Sequence, residues 1–382
     1  MPDFEFLASL VAPAPLQVFL DCFTQRRHLH LANRAPSHFD DVLSLADIDG
    51  MLELGSYPAA FINVVANAAK EPFGEWADEV KSGRGTALVS NPEKLLNSYR
   101  NGATLILNRA VSAIPKLSRA CRRLAEECGL TTGANIYVTP PGGQGFAAHG
   151  DEHDVLVLQI HGKKHWTIHA QEPVGLVSLE VTAGDLLFIP RMMFHEARCS
   201  EEPSVHVTIS LTPVYGFDLL SELALVGQTH PLLQNPVPSR LATAAERDAF
   251  EGAFAEAVTG MVRENPIPSL LERHYVARVK NQRPGWPGRF SDAIHEGQLR
   301  PESVLRRRSN ALVSVVRDGQ GGVVSFSDKQ ITVPNFLLPS LDQLLGEDAF
   351  RIRELNGLMT EQGKVALAKR FVEAGILTIV AV

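Results

Sequence analysis

Three side chains in the middle of the chain have the types and spacing that could hold a metal ion. His149 and Asp151 lie two positions apart, and His195 ends the segment Ile-Pro-Arg-Met-Met-Phe-His. In an extended strand, side chains at i and i+2 point to the same face, so an imidazole and a carboxylate can meet at one point. Two histidines and one carboxylate on one side of an ion leave three positions open, as in non-haem Fe(II) oxygenases. The pattern therefore indicates a metal site with room for further ligands.

The spacing alone is weak evidence, because His38-Phe39-Asp40 repeats it in a different setting. The residues around His149 favour His149-x-Asp151, rather than His38-Phe39-Asp40, as the metal-binding motif. Ahead of it, Ala134 to Thr139 alternates like a strand, and Pro140 to Gly145 has the Pro and Gly content of a turn. We therefore expect a strand and a turn directly before His149.

Apolar runs of strand length follow the motif at close intervals, with Gly and Pro between them. The predicted strands are Val155 to Ile160, Lys164 to Ile168, Leu176 to Glu180 and Gly184 to Pro190. Short strands of this kind predict a small barrel or jelly roll, closed enough to hold one ligand. With the helices predicted elsewhere in the chain, the fold class is α+β.

The clearest helix precedes this region. Leu117, Cys121, Leu124 and Cys128 recur at i, i+4, i+7 and i+11, and Gly129 follows as a C-cap. This spacing predicts that both cysteines are buried apolar side chains rather than redox groups. The N-terminal elements are expected to wrap the barrel and complete its sheets.

The composition sets limits on location and partners. The 382 residues carry a net charge of -7 with a pI near 6.0, so bulk electrostatics gives no reason to expect nucleic-acid binding. The first twenty residues carry Asp3 and Glu5 without a basic segment, which predicts no secretory signal, and no apolar run of about 18 residues predicts a membrane span. The four cysteines form no Cys-x-x-Cys pair, which favours a reduced, cytoplasmic protein.

The motifs together resemble a known family. They are Asn135-x-Tyr137-x-Thr-Pro, His149-x-Asp151, Asp154-Val-x-Val-Leu-Gln-x-x-Gly-Lys-Lys164-x-Trp166, Gly184-Asp-Leu-Leu-x-x-Pro-Arg-x-x-x-His195 and His206-Val-Thr-Ile-Ser210. This string is similar to the JmjC-type cupin oxygenases called ribosomal oxygenases, which comprise bacterial ribosomal-protein arginine hydroxylases and animal ribosomal-protein histidine hydroxylases. The resemblance covers nearly the whole chain, with its specific motifs between Asn135 and Ser210.

The resemblance implies a cofactor and co-substrates, namely Fe(II), 2-oxoglutarate and O2, bound in a double-stranded β-helix. It makes His149, Asp151 and His195 the iron ligands. Lys164 falls where the family places the basic residue that pairs with the distal carboxylate of 2-oxoglutarate. The other residues that the resemblance assigns to co-substrate binding are Tyr137, Ser210, Thr208 and Asn135.

Strand alternation agrees with the role of Lys164, since Lys164, Trp166 and Ile168 share one face and Lys163 points to the other. Simpler interpretations stay open. Lys164 beside another lysine is also typical of a solvated strand end, and Tyr137 of a barrel wall. Thr208 and Ser210 are equally compatible with ordinary strand hydroxyls. The histidines expected to be structural or exposed are His153, His161, His165, His169 and His206.

Three domains are predicted along the chain. Residues 1–216 would form the JmjC cupin domain, and residues 217–288 a helical region that serves dimerisation in the family, although packing within one chain fits equally well. Residues 289–382 would form a winged-helix-like domain. Pro284 to Gly288 is the predicted linker.

The last domain has predicted helices around Leu337 to Leu345, Phe350 to Leu355 and Glu361 to Ala374, then a terminal strand. Between Asp292 and Val382, eleven Lys and Arg face eleven Asp and Glu. Because this balance leaves a weak footprint for phosphate contacts, we expect a scaffold or protein-binding role rather than DNA binding.

The family resemblance predicts a peptidyl hydroxylase that acts on the β-carbon of an Arg or His residue, in a ribosomal protein or in a ribosomally made peptide. A homodimer is expected. Two alternatives stay open: a JmjC-type demethylase, and a non-catalytic winged-helix binding protein with a vestigial metal site.

Overall fold

The computed structural model describes residues 4–53, 57–66, 69–83, 85–171, 174–281, 288–308, 311, 313–318, 321–326, 329–346 and 348–382. The chain divides into two compact units, Met1–Pro213 and Val214–Val382. The three-part division at 216 and 288 remains a prediction. The predicted linker, Pro284 to Gly288, lies almost entirely outside the described residues.

The first unit contains five α-helices among its described residues, and they are α1 (Glu5–Val11), α2 (Leu16–Thr24), α3 (Leu45–Glu53), α4 (Pro92–Arg100) and α5 (Pro115–Cys128). Its strands are β1 (Leu29–Leu31), β2 (Ile62–Ala66), β3 (Ala69–Lys70), β4 (Ala77–Ser82), β5 (Gly85–Ser90), β6 (Thr104–Leu107), β7 (Thr131–Thr139), β8 (Asp154–Gln171), β9 (Val174–Thr182), β10 (Leu186–Ile189), β11 (His195–Arg198) and β12 (Ser204–Thr212).

The long strand β8 is the centre of the first unit. Its first half pairs with β10 on one side and β12 on the other, and its second half pairs with β9 and β11, all antiparallel. From β12 the sheet continues through β7 and β6 to β2 and β3. This antiparallel arrangement, with helices packed beside it, confirms the predicted α+β class and the jelly-roll architecture.

The prediction of two separate strands, Val155 to Ile160 and Lys164 to Ile168, was wrong, because β8 runs through both without a break. Gly162 makes this possible. Its φ of +62° lies in the left-handed region, and a Cβ at this position would lie 1.8 Å from the carbonyl oxygen of Pro203. Glycine therefore lets β8 bend from one sheet into the other while its hydrogen bonding continues.

Two apolar clusters hold the first unit together. The larger packs α1, α2 and α5 against the outer side of the sheet, and includes Phe19, Leu117 and Phe188. A smaller cluster inside the jelly roll includes Trp166 and Ile168 from β8. The predicted helix pattern of α5 is confirmed for Leu117, Cys121 and Leu124, which are buried, and for Gly129, which has φ +65°. Cys128 is only half-buried, so the prediction that both cysteines are buried holds for Cys121 alone.

Among the described residues, no single helix is both long and apolar enough to cross a membrane. Helices α1 and α2 meet the length and composition requirements only as a pair, bent by 94° at its break. Leu7, Leu10 and Phe19 of this pair are buried in the larger core cluster.

The described elements of the second unit are α6 (Gly216–Gly227), α7 (Ala244–Glu264), α8 (Ile267–Asn281), α9 (Arg289–His295), β13 (Val304–Arg307), β14 (Ser314–Asp318), β15 (Gly321–Phe326), β16 (Lys329–Pro334), α10 (Leu338–Leu344), β17 (Phe350–Arg351), α11 (Glu361–Ala374) and β18 (Leu377–Ala381). Strands β17, β13 and β18 form one sheet, and β14, β15 and β16 another.

Two of the predicted C-terminal helices and the terminal strand are confirmed as α10, α11 and β18. The predicted helix Phe350 to Leu355 was wrong. Phe350 and Arg351 pair with β13, and only a 3-10 turn, Ile352–Glu354, follows. Phe350 and Ile352 are buried while Arg351 is exposed, so the segment has the alternation of a strand rather than the period of a helix.

The bend in β8 can be tested by substitution. Gly162→Ala should lower the free energy of unfolding by at least about 1–3 kcal/mol, because the added Cβ meets Pro203 and the backbone conformation disfavours L side chains. Gly175→Ala in β9 is the matched control, since nothing lies within 4 Å of its Cβ position. Urea unfolding of both variants measures the difference, and equal stabilities would show that the bend does not require glycine.

Candidate metal centre

The structure brings the three predicted metal-ligating side chains together. Single donor atoms of His149, Asp151 and His195 all lie within 4.8 Å of one another. The Asp151 carboxylate is 3.9 Å from Nε2 of His149 and 3.5 Å from Nε2 of His195. His149 and His195 also exchange backbone hydrogen bonds in both directions, of 3.1 and 2.8 Å. These backbone contacts explain why residues 46 positions apart along the chain share one site.

Both histidines are oriented in the same way. Nδ1 of His149 lies 2.9 Å from the carbonyl oxygen of Ala147, and Nδ1 of His195 lies 2.9 Å from that of Met193. An N–H at Nδ1 that donates to these carbonyls leaves the lone pair of Nε2 directed at Asp151. Burial also lowers the pKa of His195, which favours the neutral imidazole that binds metals.

The competing motif has no such arrangement. His38 and Asp40 lie in turns before α3, and His38 packs edge-on against Phe39 at 4.8 Å. Within the described part of the chain, the grouping of His149, Asp151 and His195 is the single cluster of His, Cys, Asp and Glu with this geometry.

A cavity adjoins the three side chains inside the jelly roll. Four of the residues predicted to bind a co-substrate line it, namely Asn135, Tyr137, Lys164 and Thr208. Residues that the sequence reasoning did not assign to the site also contribute, among them Phe146, Trp166, Glu196 and His206. The cavity therefore joins strands β7, β8, β11 and β12 around the candidate metal centre.

Lys164 is the most unusual side chain of this cavity. Only 2% of it is exposed, and its Nζ donates a hydrogen bond of 2.9 Å to the hydroxyl of Thr139. Among the described residues it forms no ion pair, and burial lowers its pKa to about 8. Lys163 points the other way and pairs with Glu202 at 3.3 Å, so the predicted strand face is confirmed. A buried cation without a counter-ion makes this end of the cavity complementary to an anion.

Aromatic side chains form one wall of this cavity. Tyr137 stacks on His206 at 4.7 Å with 5° between the rings, and Trp166 contacts both His206, at 5.4 Å, and His195, at 5.9 Å. Burial raises the pKa of Tyr137 to about 12 and lowers the pKa of His206 well below its ordinary value. In the described part of the structure, Nε1 of Trp166 and Nδ1 of His206 are buried without hydrogen-bond partners.

Ser210 is not among the residues that line the cavity, and its predicted place beside the co-substrate stays a prediction. It lies two residues beyond Thr208 on β12, a distance of about 7 Å along the strand. Its hydroxyl accepts a hydrogen bond of 2.9 Å from the backbone of Gly133. Thr208 and Asn135 stay at the cavity, where both lie within hydrogen-bonding reach of the Tyr137 hydroxyl.

Sequence reasoning gave no role at the site to two polar residues, Thr139 and His206. Thr139 appeared in the motif string without a role, and its contact with Lys164 depends on the pairing of β7 and β8 through β12. His206 was expected to be structural or exposed, and its buried place in the cavity wall, stacked on Tyr137, agrees with the structural interpretation. The signal that could have found it is the alternation of β12, which places His206 and Thr208 on one face.

Comparison with protein families agrees with this geometry. A family model described as JmjC domain matches residues 107–179. The bifunctional lysine-specific demethylase and histidyl-hydroxylase NO66 of Aedes aegypti is 30% identical over 265 residues, and ribosomal oxygenase 1 of Gallus gallus is 31% identical over 226 residues. The alignments cover 62% and 54% of this chain but 40% and 36% of those proteins. The chain thus spans less than half the length of these curated relatives.

Solved structures with the same fold match this chain over almost its whole length. The crystal structure of Escherichia coli ribosomal oxygenase YcfD matches with a TM-score of 0.58 and 19% identity, covering 95% of this chain and 97% of that one. YcfD in complex with cobalt and 2-oxoglutarate matches with a TM-score of 0.57 and 17% identity, over 97% and 99% of the two chains. At these sequence identities, the structural similarity establishes the fold alone.

The cost of the buried ammonium can be measured. Below pH 8 the folded protein must hold a charge that burial disfavours, and a pKa lowered from 10.5 to about 8 corresponds to about 3 kcal/mol. Lys164→Met should therefore raise the free energy of unfolding of the metal-free protein at pH 7 by up to about 3 kcal/mol. Lys163→Met, on the exposed face, should leave the unfolding midpoint unchanged. A Lys164→Met variant less stable than the wild type would contradict this account of the cavity.

Proposed function

We propose that this chain, which belongs to the ribosomal oxygenase family of JmjC-type cupin proteins, is an Fe(II)- and 2-oxoglutarate-dependent hydroxylase of polypeptides. The observation that carries the proposal is the presence, in one cavity, of an open His149–Asp151–His195 cluster and the buried ammonium of Lys164. A metal with free positions and a cation without a counter-ion are together suited to a keto acid that chelates at one end and carries a carboxylate at the other.

The donor set fits Fe(II). Two imidazole nitrogens and one carboxylate form the facial arrangement of non-haem iron oxygenases, and both imidazoles are already held by backbone carbonyls. The cavity fits 2-oxoglutarate, because Lys164, the Tyr137 hydroxyl and Nε1 of Trp166 supply polar hydrogens along its wall. YcfD, which shares the fold, has been crystallised with cobalt and 2-oxoglutarate.

When bound, iron with 2-oxoglutarate and O2 supplies the oxidising chemistry, in which one oxygen atom enters succinate, CO2 leaves and the other oxygen atom enters a C–H bond of the substrate. The residues of this chain bind and orient the co-substrate, and they exclude water from the cavity. Lys164 makes a charge-assisted hydrogen bond to the distal carboxylate, and the hydroxyl of Thr139 holds the Lys164 ammonium at that point. Trp166 and the Tyr137–His206 stack form a dry wall beside the metal centre.

Several features support a polypeptide substrate. Met192 and Phe194, in the loop that leads to His195, are about half exposed and place apolar surface next to the cavity. The names of the relatives, histidyl-hydroxylase and ribosomal oxygenase, describe proteins that act on polypeptides or ribosomal components. We propose hydroxylation at the β-carbon of an Arg or His residue, in a ribosomal protein or in a ribosomally made peptide.

Demethylation is the second candidate, because the Aedes aegypti relative also carries that activity in its name. Oxidation of an N-methyl carbon would use the same residues and would release formaldehyde. A vestigial site in a non-catalytic binding protein is disfavoured. A buried lysine without a counter-ion lowers the stability of the folded protein, and without a ligand nothing would offset that cost.

We further propose a cytoplasmic homodimer. Helix α6 exposes Phe217, Leu220 and Leu225, which is apolar surface that a second copy could cover. All four cysteines are free, as expected in a reducing compartment. Sedimentation equilibrium of the full chain would distinguish one copy from two. Binding of nucleic acid or membrane is not proposed.

Turnover provides the direct test. With Fe(II), 2-oxoglutarate and candidate peptides from ribosomal proteins, the wild type should release succinate and add the mass of one oxygen atom to the peptide. His149→Ala should lower the rate more than the 10–100-fold typical of groups that only orient a ligand. His165→Ala is the control, because His165 lies on the same strand system but pairs with Glu180 outside the cavity. Formaldehyde release would favour demethylation, and full activity of His149→Ala would refute the site.

The affinity for 2-oxoglutarate should depend on pH. The pKa of Lys164 in the free protein is about 8, and a bound carboxylate favours the protonated form, so binding takes up a proton above pH 8. We expect the Kd of the Co(II)-loaded protein to be constant below pH 8 and to rise up to tenfold per pH unit above it. Calorimetric titrations between pH 6.5 and 9 measure this dependence, and Lys164→Met should show weak binding without the slope.

A further inference from the structure

An ion pair with a fully buried carboxylate lies close in sequence to two of the candidate metal ligands. Asp154, the first residue of β8, is fully buried. Nη2 of Arg26 lies 2.6 Å from Oδ1 of its carboxylate, and Nη1 of Arg26 donates to Oδ2 at 2.9 Å. The backbone N–H of Arg191 donates a third hydrogen bond, of 2.7 Å, to Oδ1. One carboxylate thus joins the turn after α2, the beginning of β8 and the loop before β11.

The contact with Arg191 is one of three that connect the two ligand-bearing segments. Next to it, the backbone N–H of Met192 donates to the carbonyl oxygen of Asp151 at 2.8 Å. At the far end, His149 and His195 exchange their backbone hydrogen bonds. We call this set of contacts between residues 149–154 and 190–195 the ligand ladder. All three metal-ligating side chains project from it.

The two segments of the ligand ladder are tightly packed against each other. A Cβ on Gly150 would lie 3.1–3.2 Å from the backbone of Met192, so the two segments are already in close contact. Met192 has a φ of +63°, a left-handed conformation that a non-glycine residue adopts only when its surroundings hold it there. The carbonyl of Met193, the next residue, orients the imidazole of His195. A shift of the loop at Arg191 would therefore move the donor atom of His195.

Arg26 is what allows Asp154 to hold this loop. A buried carboxylate is stable only with a charged or hydrogen-bonding partner, and a bidentate guanidinium fixes both its position and its orientation. Arg26 itself has a φ of +57°, just past the end of α2. The N-terminal helices therefore contribute to the site through a residue 128 positions away from Asp154.

We propose that Asp154 and Arg26 are positioning residues of the metal centre, which set its affinity for the metal ion by holding the ligand ladder in register. The inference rests on the proposed function, because it takes His149, Asp151 and His195 as the ligands. Neither residue touches the ion. They act on the backbone that carries the ligands, as groups outside the coordination shell do in other metalloproteins.

The same unit offers a matched control. Asp185 is also buried, and it is also paired with a residue of the N-terminal segment, His30, at 3.2 Å. Its other hydrogen bonds go to the backbone and hydroxyl of Thr182, in the turn before β10. Asp185 therefore lies at the opposite end of β10 from Arg191, and a substitution there disturbs a buried carboxylate without disturbing the ladder.

The experiment compares Co(II) binding with stability. For wild type, Asp154→Asn and Asp185→Asn, the Kd for Co(II) is measured by calorimetry and by visible absorption of the bound ion, and the Tm is measured with the metal removed. Asp154→Asn should raise the Kd by about 10–100-fold and change the absorption bands of bound Co(II). Asp185→Asn should lower the Tm while leaving the Kd within about twofold of the wild type. An unchanged Kd and spectrum in Asp154→Asn would overturn the inference and leave the ion pair a structural contact.

Arg26 provides a second route if Asp154→Asn does not fold. Its side chain is 44% exposed, so Arg26→Lys and Arg26→Gln remove the bidentate contact with less disturbance of the core. The Kd should rise in the order wild type, Arg26→Lys, Arg26→Gln, and equal values for the three proteins would overturn the inference. Failure of the proposed function is distinguishable, because the wild type and His149→Ala would then bind Co(II) equally weakly.

Discussion

A buried ammonium without an anion is the constraint on which the rest of this site depends. Lys164 is surrounded by a hydroxyl, aromatic rings and apolar strands, and burial holds its pKa near 8. Such a group destabilises the folded protein at neutral pH, so a chain keeps it where the missing counter-charge arrives with a ligand. The jelly roll supplies the necessary stability, because its inner and outer clusters bury the strands on both sides of the cavity.

The distance between this ammonium and the metal centre is set by one strand. Strand β8 begins at Asp154, beside the ligand ladder, and its second half carries Lys164 and Trp166 into the cavity. Because the strand bends at Gly162 and does not end there, Asp154, beside the ligand ladder, and Lys164, in the cavity, belong to one continuous hydrogen-bonded element. Under the proposed function, a co-substrate held between Lys164 and the metal would contact this continuous strand rather than a loop.

In contrast to Lys164, the three residues of the candidate metal centre lie mostly outside the long strands. Asp151 and His149 precede β8 in a segment without regular structure, and His195 begins the short strand β11. These parts would be mobile if they were joined only by their side chains. The ladder between them, with Asp154 and Arg26 at its end, gives irregular backbone the order that regular strands give to Lys164. Through such a contact, Arg26, which follows the N-terminal helix α2, reaches Asp154 at the start of β8.

Several features of this protein were determined by the sequence alone. The period of two in a strand turned Lys164 inward with Trp166 and Ile168, and the period of the α-helix placed Leu117, Cys121 and Leu124 on the buried face of α5. His149 and Asp151 were also predicted as a pair, although they lie outside regular strands. The motif string from Asn135 to Ser210 also pointed to the JmjC domain, whose family model matches residues 107–179. These are local properties, because the face on which a side chain lies follows from its own backbone and its near neighbours.

Only the tertiary structure decided the contacts that join distant strands. Alternation put His206, Thr208 and Ser210 on one face of β12, but the register against β7 and β8 brought two of them to the cavity and left Ser210 with Gly133. The same holds for Thr139 against Lys164, for the unbroken course of β8, and for Arg26 against Asp154. Which partner a side chain meets depends on strand register and close backbone approach, and these are fixed by the packing of the whole unit rather than by any local pattern.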